Sequence, residues 1–361
     1  MSNYYLILAW IGVFAILTLF VQMNRRENLY GKTVYRIRPI WAVVLVAPLV
    51  IWSADRGYVG DTYAYMKGFQ GMPTELSKIG AYMESVSKDK AFYFMAAVIK
   101  SIITENVHIY FLIIAAIQAF LLFRIYRKYS TRYAVSFFLF IVSTDYISWM
   151  FNGMRQFVAV TITLLAFESI VEKKYIKAII IVLLASLFHQ SALLVIPFIF
   201  VIQGEAWNVK TLLYMAVVVV VILYVDRFTD ILDELLQETQ YENVVSDWEL
   251  FEDDGTNVLR VLVYAVPTIL SLVGLRYIKA ENSSIINICT NMSIISMGIY
   301  IISMFTSGIY IGRLPIYFSL YNYILLPWEI DQIFDKRSAK MVYVIMAVAY
   351  LGFYMYSIRN L

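Results

Sequence analysis

Residues 107–171 read VHIYFLIIAAIQAFLLFRIYRKYSTRYAVSFFLFIVSTDYISWMFNGMRQFVAVTITLLAFESIV. Three apolar runs, 107–123, 133–149 and 156–171, follow one another in this stretch. Each approaches the ~20 residues that a helix needs to cross ~30 Å of hydrocarbon. The gap between the first two carries Arg124, Arg127, Lys128 and Arg132, and the gap between the last two is little more than Asn152-Gly153-Met154-Arg155-Gln156. Long apolar runs joined first by a basic turn and then by a short polar one read as successive membrane-spanning helices.

The pattern extends over the whole chain of 361 residues, which is 61% hydrophobic and 15% charged. Soluble domains are about 45–50% apolar and about 25% charged. Further spans are expected at 4–22, 39–54, 177–188, 190–203, 211–225, 258–277, 285–305, 314–328 and 341–357. The expected fold is therefore an all-α polytopic membrane protein of about 12 transmembrane helices, range 10–13, forming one integral membrane domain over 1–361. The run 4–22 has no basic segment before it and is followed by Asn24-Arg25-Arg26, so it reads as the first span and not as a cleaved leader. A single cysteine, Cys289, and two histidines, His108 and His189, exclude a disulfide framework, a cysteine-based cluster and a multi-histidine metal site. No metal, cofactor or nucleic-acid partner is expected. The N-x-S matches at Asn282 and Asn291 fall in a basic loop and in a span, and read as chance.

Lysine and arginine placement orients the spans. The alternate loops 24–38, 124–132, 172–177, 203–210, 276–284 and 329–340 hold 18 of the 29 basic residues. Short basic loops stay cytoplasmic, which puts both termini outside. Two large segments then face outward. In 55–106 the residues Ile79, Tyr82, Met83 and Val86 form a helical apolar stripe, and 91–103, interrupted by Lys100, reads as an interfacial or re-entrant helix. The segment 226–257 carries eleven acids and one arginine, with an amphipathic stretch at Phe228, Ile231, Leu232, Leu235 and Leu236, and reads as an acidic lid.

The informative residues are polar groups that break the apolar pattern on the outward side. An arginine near membrane depth costs several kcal/mol unless paired or functional, and Arg155 has almost no loop to hold it in water. Its neighbours Asn152 and Gln156 suit a polar pocket better than a snorkelling side chain. His189, in Ser186-Leu187-Phe188-His189-Gln190-Ser191, lies between two runs too short to reach the outer surface, which suits proton transfer or a buried structural histidine with a serine partner. His108, near a loop end, reads as structural. Arg313 opens a span from outside, and Arg56 and Asp61 open the first outward segment, where a mutual surface ion pair is the plain alternative. Three arginines, a carboxylate and a histidine on one face suit a lipid diphosphate: guanidinium groups fork onto its oxygens and stabilise it as a leaving group. A carboxylate or neutral histidine could deprotonate an incoming sugar hydroxyl.

At these positions the chain resembles a known family. Arg56-Gly57, Asp61-Thr62 with Tyr65, Asn152-Gly153-Met154-Arg155-Gln156, His189-Gln190-Ser191-Ala192-Leu193 and Gly312-Arg313 are similar, in order and spacing, to the EpsG-like branch of the Wzy-type polysaccharide polymerases. Each motif is short, and it is their ordered set over nearly the whole chain that carries the resemblance. It implies a bacterial cytoplasmic-membrane enzyme, akin to the GT-C-like lipid-dependent glycosyltransferases. Such an enzyme joins undecaprenyl-diphosphate-linked oligosaccharide repeat units on the outer face into exopolysaccharide or O-antigen. The growing chain moves from its lipid diphosphate onto the non-reducing-end sugar of a new unit, without nucleotide sugars. Flippase and chain-length regulator proteins of the same pathway are implied partners.

The resemblance assigns diphosphate to Arg56, Arg155 and Arg313, and places catalysis among Arg155, His189 and Asp61, with the base either of the last two. Asn152, Gln156, Gln190, Ser191, Tyr65 and Trp248 are expected to contact substrate. The acidic 226–257 segment departs from the basic outer loop of larger Wzy proteins, and its carboxylates with Tyr241 and Trp248 suit sugar hydroxyls better than phosphate. A flippase or transporter of lipid-linked oligosaccharide should line a path from both faces. A membrane acyltransferase should carry an inward-facing histidine. A scaffold leaves the recessed polar motifs unexplained.

Overall fold

A computed structural model describes residues 2–29, 32–58, 60–236 and 255–360. These are helical almost throughout, and they divide into two compact units, Met1–Leu193 with Val348–Leu361, and Leu194–Ala347. Five helices are long and apolar enough to cross a membrane: Asn3–Phe20, Val107–Tyr129, Met154–Val171, Ser284–Met304 and Lys336–Arg359. Three sharply bent helix pairs bring the number to eight if each is one span. The polytopic helical class expected from the sequence is the one observed, and by length and composition the described residues supply five to eight candidate spans. The apolar runs at Pro39–Ser53, Tyr175–Ser186 and Gln190–Val201 form helices, but short ones.

In the first unit, α1 (Ser2–Phe20) leads into a two-stranded antiparallel hairpin of β1 (Asn24–Leu29) and β2 (Lys32–Ile37), with Asn24 opposite Ile37 and Leu29 opposite Lys32. This small hairpin is an addition to the helical class expected from the sequence. The hairpin has no apolar periodicity to announce it. Charge holds it instead: Glu27 Oε1 lies 2.6 Å from both Arg25 and Arg127, and Arg127 donates to the Ile37 carbonyl at 2.9 Å.

Next comes α2 (Pro39–Ser53), opened by Pro39, whose missing N–H costs nothing at a helix start. The 55–106 segment is helical in pieces: α3 (Thr62–Gly71), α4 (Ile79–Glu84) and α5 (Lys90–Val98), the last continuing in a π turn over Ile99–Ile103. Lys100, which interrupts the apolar run, is buried and donates to the carbonyls of Gln70 at 2.6 Å and Met72 at 2.7 Å. It closes the end of α3 and fixes α5 beside it, a task that explains a charge in an apolar run.

The helix α6 (Val107–Tyr129) starts on the Asn106 side chain, which accepts from the backbone of His108 and Ile109, and ends with Arg127 and Lys128 in its last turn, where cations suit the helix dipole. His108 sets its Nδ1 2.6 Å from the Ala54 carbonyl, a capping role that agrees with its structural reading. Then α7 (Tyr133–Val142) meets a π-helical segment, Tyr146–Asn152, at a 79° bend through Thr144, whose φ is +65°. The helices α8 (Met154–Thr163) and α9 (Ala166–Val171) make the innermost span of this unit, 72% buried against 11% for α1. The short α10 (Tyr175–Ser186) completes it.

The second unit is built around Ser284–Met304, 78% buried, with Val209–Leu223 and Val258–Val273 packed on it. Both N-x-S asparagines have structural work here. Asn282 closes a helix at φ +45°, and the fully buried Asn291 donates to the carbonyls of Ile202 and Glu205. The acidic segment begins as a helix, Val225–Leu236, at 97° to the one before it. Tyr241, Trp248 and most of the expected lid lie outside the described residues.

Candidate active site

Two of the sequence motifs lie side by side. The segment from Arg56 to Tyr65 runs along the segment from Met150 to Arg155 and touches it at three levels. At the first, Arg56 is buried, with its guanidinium 3.9 Å over the Phe111 ring, and it donates to the Met150 carbonyl at 3.3 Å. At the second, the Asp61 backbone N–H donates to Asn152 Oδ1 at 2.9 Å. At the third, the Tyr65 phenol lies close enough to Arg155 for the guanidinium charge to act on it. Gly60 makes the middle contact possible. Its φ is +50°, and a Cβ there would collide with the Asn152 side chain.

The local structure explains why these groups converge. The π turns of Tyr146–Asn152 rotate the chain ahead of Gly153, and α8 then starts with Met154, whose carbonyl accepts from the buried Gln118 at 3.1 Å. Insertions of this kind often lie at functional sites because they re-aim side chains without breaking a helix. Beneath the site, Phe69, Phe92, Tyr110, Met154 and Val158 form a buried apolar floor, on which Tyr65, Tyr93 and Phe188 pack.

Arg155 projects from the first turn of α8 over this floor. One of its guanidinium nitrogens donates to Asp89 Oδ2 at 2.8 Å and to the Tyr93 hydroxyl at 3.3 Å. The side chain keeps 32% of its surface exposed, while that of Asp89 keeps 4%. Buried Asp89 thus holds the guanidinium from below and leaves part of it open. No sequence pattern singles out Asp89, which stands in a soluble-looking Ser87-Lys88-Asp89-Lys90 turn. It occupies the N-cap of α5, yet its side chain makes no capping bond. Its φ is +50°, an unusual conformation for a residue with a Cβ, and one of its oxygens, Oδ1, is buried without a partner. An aspartate that forgoes its own helix cap to face an arginine marks a constrained site. Burial pushes the Asp89 carboxyl above the ordinary carboxylate range, against the pull of Arg155, and burial likewise raises Tyr65.

His189 follows Phe188, and the Ala91 N–H to Leu187 carbonyl bond, 3.0 Å, ties the end of α10 to the Asp89 turn. His189 is half-buried, with Nδ1 2.7 Å from Ser191 Oγ, the serine partner that its structural reading expects. Gln190 is exposed and Gln156 buried. Asp61 is exposed, close enough to Tyr65 for its charge to act on the phenol, and among the described residues it makes no ion pair with Arg56. Arg56 itself sits deeper than an open diphosphate contact requires.

Arg313 belongs to the second unit, at the end of the 3-10 turn Ile311–Arg313. Its loop is clamped by the Gly255-Thr256 segment: Thr256 N–H donates to the Ser303 carbonyl at 2.9 Å, and Ser303 Oγ lies 2.7 Å from Thr256 Oγ1. A Cβ at Gly312 would strike Thr256, and one at Gly308 would lie 2.7 Å from the Gly255 carbonyl oxygen, so both glycines serve this crossing.

A polytopic helical protein with a partly exposed guanidinium held by a buried carboxylate and a tyrosine is the class that fold and site define. The chain belongs to the EpsG family, whose model matches residues 39–361. Membership supports a polysaccharide-polymerase role for a membrane protein of this kind. No curated protein and no solved structure matches the chain.

Proposed function

We propose that the protein joins undecaprenyl-diphosphate-linked oligosaccharide repeat units into exopolysaccharide or O-antigen on the outer face of the cytoplasmic membrane, as a GT-C-like glycosyltransferase of about 12 spans. The observation that carries this reading is Arg155, fixed by Asp89 and Tyr93 and still open to a ligand, in a chain of the EpsG family. A guanidinium held on one nitrogen presents its others, pre-aimed, to the oxygens of a leaving diphosphate, which stabilises charge that develops in the transition state. The attacking sugar hydroxyl passes its proton to His189 or to Asp61. Asp89 is a positioning residue that acts through Arg155. Arg313 contributes a second guanidinium, Arg56 supports the site from beneath, and Asn152, Gln156, Gln190 and Ser191 contact sugar or diphosphate. The acidic segment with Trp248 covers bound oligosaccharide. Flippase and chain-length regulator proteins of the same pathway are the proposed partners.

The test is the lipid-linked glycan pool in cells carrying Arg155→Ala. The expected pool is a single repeat unit on lipid, with protein level unchanged. Normal chain lengths would sink the assignment, and loss of outward-facing repeat units altogether would mean that the protein translocates them.

A further inference from the structure

Away from this site, the first unit carries two adjoining cavities that the proposed reaction does not use. The first, of about 440 Å³, lies under the hairpin and is lined by Arg36, Arg127, Ser130, Thr131 and Arg132 among others. The second, of about 430 Å³, is an apolar groove between α2 and α6 that ends at Arg124, Arg127 and Tyr133. Arg127 and Tyr133 line both, so the groove and the basic pocket adjoin at these two residues. Its floor is small, with Ala42 and Ala47 of α2 facing Ala116 and Ala119 of α6, which leaves a channel where larger side chains would close it.

Along α6 the groove-lining residues change character in order. Ala116 and Ala119 give way to Phe120 and Phe123, and these to Arg124 and Arg127. At 1.5 Å per residue that progression covers roughly 17 Å, the dimension of an acyl chain followed by its polar head. Charge matches the same direction. Glu27 is the carboxylate paired with Arg25, Arg36 and Arg127, one anion against three guanidiniums. Arg124 is exposed at the groove mouth. The two loops that frame the pocket, 24–38 and 124–132, hold nine basic residues and the single acid Glu27. Basic pockets of this kind between spans attract anionic headgroups of the cytoplasmic leaflet.

We infer that this groove and pocket form a binding site for an anionic glycerophospholipid, with one acyl chain between α2 and α6 and the phosphate at Arg124 and Arg127. Tyr133, whose hydroxyl donates to the Ala42 carbonyl at 3.3 Å, marks the level of the glycerol. The site is independent of the Arg155 reading and would stand without it.

The experiment uses the full-length protein in dodecyl maltoside micelles, with phosphatidylglycerol or phosphatidylcholine added and the thermal midpoint recorded. Phosphatidylglycerol should raise the midpoint of the wild type, and phosphatidylcholine should not. Arg124→Gln, at an exposed position, should weaken the phosphatidylglycerol response by roughly tenfold in lipid concentration. Ala116→Phe, at an exposed position of the groove, should abolish it by filling the groove, while leaving the midpoint without lipid near that of the wild type. Equal shifts from both lipids would overturn the proposal, as would a phosphatidylglycerol response that survives both substitutions. Displacement of phosphatidylglycerol by stoichiometric undecaprenyl phosphate would assign the groove to a polyprenyl lipid and overturn the glycerophospholipid assignment.

Discussion

At the scale of the residue, the contact between Arg155 and Asp89 carries the account, because it converts an arginine that would be costly near the membrane into an aimed cation. Arg155→Lys should be nearly as damaging to polymer formation as Arg155→Ala. An ammonium keeps the charge but cannot bond Asp89 and Tyr93 while presenting a fork to diphosphate. Full activity of the lysine variant in a glycan gel would reduce Arg155 to a point charge. Asp89→Asn keeps the shape and removes the charge, and should lower polymerisation by roughly one to two powers of ten through loss of a charge-assisted bond worth about 1.5–3 kcal/mol. A wild-type polymer yield in that variant would remove Asp89 from the site. Arg155 and its polar neighbours were legible in the sequence because they interrupt apolar runs where interruption is expensive. Asp89 was not, because a carboxylate between two lysines in a polar turn is indistinguishable from a solvated one until the chain folds it under the arginine.

At the scale of the element, the site depends on two segments lying in register, with Arg56 at Met150, Asp61 at Asn152 and Tyr65 at Arg155. Gly60→Ala should break the middle of this register. The substitution adds a side chain at positive φ and forces Asn152 away, at a cost of roughly 1–3 kcal/mol, and polymer yield should fall while the protein still inserts. An unchanged yield and thermal midpoint would show that the register does not matter. The spans themselves follow from hydrophobic runs, and α6 begins at Val107 as expected but runs on to Tyr129, six residues into the expected basic loop 124–132. The breaks inside expected spans do not follow. The π segment Tyr146–Asn152 and its 79° bend leave the apolar composition of 133–149 untouched, so a pattern of hydrophobicity alone cannot reveal them. The hairpin was hidden for the opposite reason, being held by the charges of Glu27 and Arg127 and not by an apolar face.

At the scale of the whole molecule, orientation decides whether Arg155 can meet a substrate presented outside the cell. In a Cys289→Ser background, an Asp254→Cys variant should react with an impermeant thiol reagent added to intact cells, because its segment is expected to face outward. Reaction only after permeabilisation would invert the topology and place the basic hairpin outside. Whether the protein lengthens lipid-linked glycans through Arg155 is decided by resolving the lipid-linked glycans of a deletion strain supplied with either the wild-type or the Arg155→Ala chain. The wild type should give a ladder of repeat units, and Arg155→Ala, at equal protein level, one band, a single repeat. A full ladder from the Arg155→Ala chain would contradict that role of Arg155.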